Sequence, residues 1–448
     1  MTSILITTWG DPRQWEEVTY IIDERRYSRK TKSSLPAIVD YTYPKPEKVL
    51  LIVLDTIVKS PFSSYGELKY SVMKYYQDFL NTLNIEVPVE VIIAPGAGKF
   101  KLNDGRYVEF HGSLTDFHAY VTFEIARRLA QVHKGDLTVH LDLSHGVNFM
   151  PSLTYASVSE VLGALAVARK VYLRVYNAEP FIRGVTSELN IHTVEDRELS
   201  ANLKPEALPP NSSLLEPRTV DKRERVNVES RISDVKINKA IIDELNGFLS
   251  SLINGLPLAY YSFYPDVNNL EQLLNKAVEL WLSNMKITVG DGNIVVERDT
   301  RFRGEFISCT IIWTVARALN DGKKTEVKLE ELENLRRKVF HRWAKLNSMI
   351  SYDLEEIEKD VYKSGLELNN WTVLDQIIEK PYGGVRTRSK TSVPEAKLIR
   401  NFLAHSGLER RLIYVKRAFG EIQLCYDLKK RRDMIIKACV KGLCERGR

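Results

Sequence analysis

The stretch Arg400-Asn401-Phe402-Leu403-Ala404-His405 places a permanent cation and a titratable imidazole five positions apart in a basic C-terminal region. An imidazole that titrates near neutral pH can carry a proton to or from a ribose hydroxyl. A guanidinium can hold a phosphate and offset the charge that develops on it during bond exchange. Together they supply what phosphodiester cleavage in RNA needs without a metal. Arginine followed five positions later by histidine occurs four times, at Arg106–His111, Arg128–His133, Arg336–His341 and Arg400–His405. The first two lie in the N-terminal half, where His111 ends the strand-like run Tyr107–His111 and reads as a histidine on a strand or helix face. Arg336–His341 sits in a charged stretch, Leu335–Trp343, whose plain reading is the solvated basic face of a helix, and it stands as the runner-up. For Arg400 and His405 the bland alternative is a surface cation and a helix-end histidine.

A second group of polar residues clusters where strands end. The loop Thr7-Thr8-Trp9-Gly10-Asp11-Pro12 leaves the first apolar run, and Asp142–Pro151 joins a strand to a helix. In layered α/β folds ligands bind beyond the carboxyl ends of strands. Backbone N–H groups at the start of the helix can receive a phosphate, with Ser144, His145 and Asn148 as added donors. The bland alternative is a strand-to-helix turn in which Gly146 only relieves the backbone. The common nucleotide fingerprints are missing: no GxGxxG follows strand one, and the spacing of Pro95-Gly96-Ala97-Gly98-Lys99 is not that of a P-loop.

The elements that must position these residues follow from periodicity. Apolar runs at 3–8, 48–57, 87–94, 137–143 and 170–176 alternate with helical patterns at 64–83, 114–132 and 151–168, which predicts an α/β fold with a mostly parallel, Rossmann-like sheet. Residues 201–229 are rich in proline and charge and read as a connector or exposed arm. Beyond them come a helix at 236–252 and a β-hairpin at 286–296 turning at Gly290–Asn293, together a small helix and β-hairpin insertion. From about residue 305 onward the spacing predicts helices at 306–319, 328–349, 352–364, 371–379, 393–404 and 407–419, an all-α C-terminal half. The expected organisation is thus 1–185, 186–300 and 301–448.

At 448 residues, 44% hydrophobic and 27% charged, the chain has the composition of a multi-domain globular protein. A net charge of +6 permits nucleic acid without requiring it, and the basic residues crowd into the last forty positions. Four cysteines without zinc spacing read as reduced thiols of a cytoplasmic protein. The first residues read as a strand rather than a signal peptide, and no apolar run is long enough for a membrane span.

These motifs resemble those of the CRISPR-associated ribonucleases of type III systems, which join an N-terminal CARF sensor to a C-terminal HEPN ribonuclease domain. Arg400, Asn401 and His405 match the HEPN pattern of Arg, a polar residue and a following His, and Arg337 in second place sets Arg336–His341 apart from it. Asp142, Ser144, His145 and Gly146 are similar to the sensor loop, with serine where threonine is common; Gly10-Asp11-Pro12 with Trp15 resembles the first sensor loop. The resemblance spans roughly 1–185 and 300–448. It implies catalytic roles for Arg400, Asn401 and His405, and a ligand site at Thr8, Trp9, Gly10, Asp11, Pro12, Ser144, His145, Gly146 and Asn148. It further implies single-stranded RNA as substrate, no metal or other cofactor, a cyclic oligoadenylate activator (cyclic tetra-adenylate expected) and a homodimer or higher homo-oligomer.

Two rivals remain open on the sequence. One is a CARF-type ligand-responsive transcriptional regulator that reads DNA with residues 236–296. The other is a nucleotide-processing enzyme whose active site is the 142–151 loop.

Overall fold

The computed structural model describes residues 2–132, 135–290, 292–377, 393–418 and 420–446. They divide into two compact units. One comprises Met1–Asn202, Ser213–Lys236 and Gln272–Thr314, and the other Leu203–Ser212, Ile237–Glu271 and Val315–Arg448.

The first unit is built on β1 (Thr2–Trp9), β2 (Val18–Ile22), β3 (Tyr27–Thr31), β4 (Lys48–Leu54), β5 (Val89–Ala94), β6 (Gly98–Lys101), β7 (Tyr107–His111), β8 (Leu137–His145), β9 (Val171–Ala178) and β10 (Glu188–Glu198). Eight of these form one sheet in the order β3-β2-β10-β9-β8-β1-β4-β5. The run from β9 to β5 is parallel, as the strand–helix alternation predicts, while β9–β10 and β2–β3 are antiparallel. Leu5, Ile6 and Val49–Val53 are wholly buried, the signature of central strands covered on both faces.

The register matters for the site. Thr7 of β1 stands opposite Asp142 of β8, and after a one-residue irregularity Trp9 stands opposite His145, so the two sequence-predicted loops leave the sheet side by side. Helices α1 (Ser34–Tyr41), α2 (Tyr65–Leu80) and α3 (Leu114–Leu129) each start at a serine, Ser33, Ser64 or Ser113, whose hydroxyl accepts a first-turn backbone N–H. Helix α4 (Phe149–Leu165) starts without a side-chain cap at Asn148.

The remaining pieces of this unit come from far along the chain. Short β11 (Leu215–Pro217) precedes α5 (Lys222–Arg231). The predicted hairpin is present as β12 (Met285–Val289) and β13 (Asn293–Arg298), with Asp291 of its turn outside the described residues, and β14 (Thr300–Phe302) pairs with β11. The hairpin extends a second sheet, β12-β13-β7-β6, in which β13 runs parallel to β7. At the end of β13, Arg298 is fully buried against fully buried Asp55 with 2.5 Å between nitrogen and oxygen. Arg298 Nη1 also donates to the Gly96 carbonyl at 2.9 Å, Gly96 N donates to Asp55 at 2.8 Å, and the guanidinium lies 5.5 Å from the Trp281 ring. Burial pushes the Asp55 carboxyl up, and Arg298 is the main opposing influence.

The second unit holds α6 (Lys239–Asn254) and α7 (Pro257–Ser262); α8 (Val267–Ser283) and α9 (Gly304–Leu319) carry residues of both units. It continues with β15 (Val327–Lys328), α10 (Leu329–Lys338), α11 (Ala344–Ser364), β16 (Thr372–Val373), α12 (Leu374–Ile377), α13 (Glu395–Ala404), β17 (Ile413–Ala418), β18 (Glu421–Tyr426) and α14 (Leu428–Arg446). Helix α14 lies against α6 closely enough that a Cβ on Gly442 would come within 2.7 Å of Asn254 Nδ2 and 2.9 Å of Leu403 Cδ2. That close approach fixes α13 in the bundle.

The helical expectation for this half is met in its main helices, but the unit is not all-α. Strands β15, β18, β17 and β16 form a four-stranded sheet, antiparallel throughout. The helix expected at 407–419 is strand β17, with Phe419 outside the described residues. Ile413 and Val415 are buried on either side of a less buried Tyr414, a period of two that outweighs the three- and four-residue spacing from Leu408 and Leu412. Residues 371–379 give β16 and the short α12 rather than one helix, with 378 and 379 outside the described residues. The break expected near residue 350 lies instead at 339–343. There Val339 and Phe340 are both fully buried and Trp343 is extended (φ −123°, ψ 92°), and α11 then runs unbroken for 21 residues.

Candidate functional site

In the first unit the predicted loop residues meet around one buried carboxylate. Asp142 accepts four hydrogen bonds, from Thr7 Oγ1 (3.1 Å), Ser34 Oγ (2.6 Å), Ser144 Oγ (2.6 Å) and Ser144 N (3.0 Å). Ser144 Oγ in turn accepts the Ala178 N–H at 3.0 Å, so this hydroxyl is engaged within the protein. His145 stacks on Trp15, with ring centroids 4.1 Å apart, and its Nε2 lies 3.1 Å from both Tyr20 Oη and Ser34 N. A backbone N–H can only donate, so Nε2 carries a lone pair and the imidazole is neutral with its proton on Nδ1. Burial lowers the pKa of this ring to about 4, although nearby Asp142 works in the opposite direction.

The other predicted residues crowd the same strand ends. Gly10 N donates to the His145 carbonyl (2.7 Å), and Tyr76 Oη donates to the Gly10 carbonyl (2.7 Å). Thr8 and Trp9 are fully buried, the latter among Trp15, Tyr76 and Phe79. Asp11 caps the 3-10 turn that Pro12 begins, and it accepts from Arg13 Nε (2.9 Å) and Tyr75 Oη (2.5 Å), with Lys59 Nζ at 3.3 Å. Burial raises the Asp11 carboxyl, but these bonds and the Lys59 charge prevail and hold it well below the usual carboxylate range.

Gly146 is required by space: a Cβ there would stand 2.5 Å from Pro151 Cγ and 2.7 Å from Thr8 Oγ1. Asn148 is exposed and sits at φ +32°, ψ −87°, with its side chain making no capping bond to α4. At this uncapped helix start the Met150 N–H is taken by the Val147 carbonyl and Pro151 has none, so the exposed Asn148 amide is the polar group it offers to an anionic ligand.

Sequence reasoning missed Tyr20, Ser34, Arg13, Lys59 and Tyr75. Only Ser33-Ser34-Leu35-Pro36 carried a legible signal, a serine cap ahead of an apolar run.

In the second unit Arg400 and Asn401 lie on α13, whose buried stripe is Leu398 and Phe402, and His405 is its C-terminal cap. Ser406 (φ +48°) and Gly407 (φ +74°) turn the chain, and Gly407 N donates to the Phe402 carbonyl at 2.8 Å, a Schellman ending. Tyr426 Oη donates to the Gly407 carbonyl at 2.7 Å and locks the turn from β18. Arg400 is exposed and has no ion pair among the described residues; Asn401 is half-buried. The His405 side chain is 53% exposed, with Nδ1 3.4 Å from Asp353 Oδ1.

The competing pairs are otherwise occupied. Arg336 is held by Glu333 and Asn347, Arg106 by Asp104, and Arg128 by Glu90 and Glu124, while His133 lies outside the described residues. The helix and hairpin of the DNA-reading rival fall in different units, α6 in one and β12–β13 in the other. No described helix is long and apolar enough to cross a membrane.

Residues 4–180 match the family described as CRISPR system endoribonuclease Csx1, CARF domain, and residues 327–430 match its HEPN domain. The chain is also 32% identical over 445 residues to the CRISPR system endoribonuclease Csx1 of Methanocaldococcus jannaschii, covering 95% of this chain and 90% of that relative. The chain belongs to the Csx1 family. Its CARF segment contains every predicted ligand residue from Thr8 to Asn148, and its HEPN segment contains Arg400, Asn401, His405 and Asp353.

Proposed function

We propose that this chain is a single-stranded RNA endoribonuclease, switched on by a cyclic oligoadenylate bound at its CARF domain. The observation that carries the reading is the end of α13. Within the matched HEPN segment, an exposed Arg400, without an ion pair among the described residues, is followed by a half-exposed His405 held on a rigid turn.

In this reading the ribose 2′-hydroxyl attacks the adjacent phosphorus and the 5′-oxygen leaves. His405 moves the proton as general base or acid, and Arg400 binds the phosphate and offsets its charge. Asn401 orients one of them by hydrogen bonding. The products carry a 2′,3′-cyclic phosphate and a 5′-hydroxyl, and no metal enters the step. Positions five apart on a straight helix differ by roughly 140°. Arg400 and His405 therefore form a compact centre when two copies bring their α13 ends together about a twofold axis, the commonest oligomer symmetry. A ring with twofold symmetry suits a sensor site shared by the same two copies. It activates by binding the cleavage-competent arrangement more tightly than the inactive one.

The neutral, internally hydrogen-bonded His145 supports a binding rather than a catalytic role for the 142–151 loop. The test is cleavage of a fluorophore–quencher single-stranded RNA in EDTA, with and without cyclic tetra-adenylate, by wild type and His405→Ala. Ring-dependent cleavage lost in the variant is the expected result. Cleavage by His405→Ala at the wild-type rate would move the centre elsewhere.

A further inference from the structure

Helix α11 carries its buried stripe at Leu346, Ile350, Leu354, Ile357 and Val361. Two acids share that face, Asp353 and Asp360, seven residues and about two turns apart. Their side chains are 11% and 18% exposed, uncommon for aspartate, and each has a partner in the segment that follows α13. Asp360 binds Arg410 at 2.6 Å, and Asp353 faces His405 Nδ1 at 3.4 Å. The turn that presents the imidazole is thus gripped at both ends by one helix, from a position that no Arg–His spacing reveals.

A carboxylate accepts and cannot donate, so an imidazole beside it places its proton on the facing nitrogen. We propose that Asp353 is a positioning residue for His405: it accepts the Nδ1–H, fixes the tautomer and ring orientation, and leaves Nε2 as the atom that exchanges a proton with RNA. The same carboxylate stabilises the imidazolium formed when His405 takes a proton from the ribose hydroxyl. Asp353 therefore acts through His405 and touches no substrate.

The surroundings fit the role. Burial pushes the Asp353 carboxyl up, and neighbouring His405 and Arg410 only partly offset it. Arg410 is itself engaged by Asp360, so Asp353 is left facing the imidazole rather than locked into an arginine fork.

This inference rests on the ribonuclease reading, and its test separates the two. RNA cleavage by full-length wild type, Asp353→Asn and Asp353→Glu would be followed across pH 5–9 in EDTA at saturating cyclic tetra-adenylate. In parallel, the imidazole nitrogens would be read by 15N-histidine NMR, with His405→Ala assigning the resonance. Asparagine keeps the shape and an acceptor but removes the charge. We expect kcat to fall at least about tenfold with KM little changed, since a positioned acid–base group contributes roughly 100-fold or more. The acidic limb of the kcat profile should move to lower pH, because an imidazolium without its carboxylate is less stable. Glutamate should restore part of both, and wild-type His405 should show its proton on Nδ1. A purely structural role would lower the melting temperature and leave the limb in place, which overturns the proposal. So would an Nε2–H tautomer in wild type. Absence of cleavage by wild type would instead overturn the ribonuclease reading itself, with the tautomer still measured.

Discussion

Replacing Arg298 by methionine tests how the first unit holds its second sheet. The Arg298–Asp55 pair is wholly buried on both sides, and the guanidinium also satisfies the Gly96 carbonyl. Removing one member of such a pair leaves a carboxylate without compensation, which costs about 3–5 kcal/mol. For a unit of this size each kcal/mol lowers Tm by about 2–4 °C, so the unit should melt roughly 6–20 °C lower. Asp55 is already pushed up by burial, and without Arg298 it rises further. A carboxyl with a raised folded pKa is protonated in the folded state while the unfolded state is ionised. The loss should therefore grow as pH rises above the ordinary aspartate range and shrink on acidification. The double variant Asp55→Asn/Arg298→Met keeps an acceptor for Gly96 N and removes the stranded charge, so it should recover a large part of the loss. The assay is thermal unfolding by circular dichroism and calorimetry from pH 5 to 8. A single variant that loses under 1 kcal/mol, or a double variant no better than the single, would refute the account.

Two further outcomes follow from the crowded glycine at the ends of β1 and β8 and from the buried histidines. Gly146→Ala forces a Cβ to 2.5 Å from Pro151 and 2.7 Å from Thr8, and overpacking of this kind costs about 1–3 kcal/mol. In a titration of RNA cleavage, the cyclic tetra-adenylate concentration for half-activation should rise while cleavage at saturation persists; an unchanged midpoint would argue against this loop as the sensor. His145 and His140 both have folded pKa values lowered to about 4 by burial. The unfolded chain therefore binds protons first, and their contribution is fully present above about pH 6.5 and lost as pH falls toward 4. Unfolding midpoints between pH 7 and 4.5 should fall less steeply in His145→Gln than in wild type, and parallel slopes would contradict the neutral-imidazole assignment.

What could be read from the sequence follows from how local each signal is. The central strands announce themselves because burial on both faces makes Val49–Val53 a continuous apolar run. Strands β2 and β3 escaped notice: their turn uses Asp23, Glu24 and Arg25 at positive φ where glycine would have marked it, and β3 alternates with Arg29 and Lys30. Strand β17 is hidden because apolar residues at 408, 412 and 415 satisfy a helical period, while the strand's own period of two rests only on Ile413 and Val415. The Arg400–His405 candidates were visible as types and spacing. Asp353 was not, because its pairing with His405 spans 52 residues and is set by the packing of α11. In the 142–151 loop the residue types were legible but their engagement was not: Ser144 and His145 look like free donors in the sequence, yet Asp142, Tyr20 and Ser34 hold them.

The parallel pairing of β13 with β7 has a consequence for how the protein is made. Asn293 lies opposite Tyr107, so one neighbour of β7 emerges 186 residues after it. At about 5–20 residues per second that interval is about 10–40 s. Throughout it, a nascent chain carries β7 with an open edge and its apolar Val108 and Phe110 waiting for a partner, an arrangement that invites pairing with other chains. Asp55 waits longer still, since Arg298 lies 243 residues after it. A fragment ending at Asn202 would keep that open edge permanently, so soluble sensor fragments are better made by joining 1–202 to the later hairpin than by cutting the chain where the first alternation of strands and helices ends.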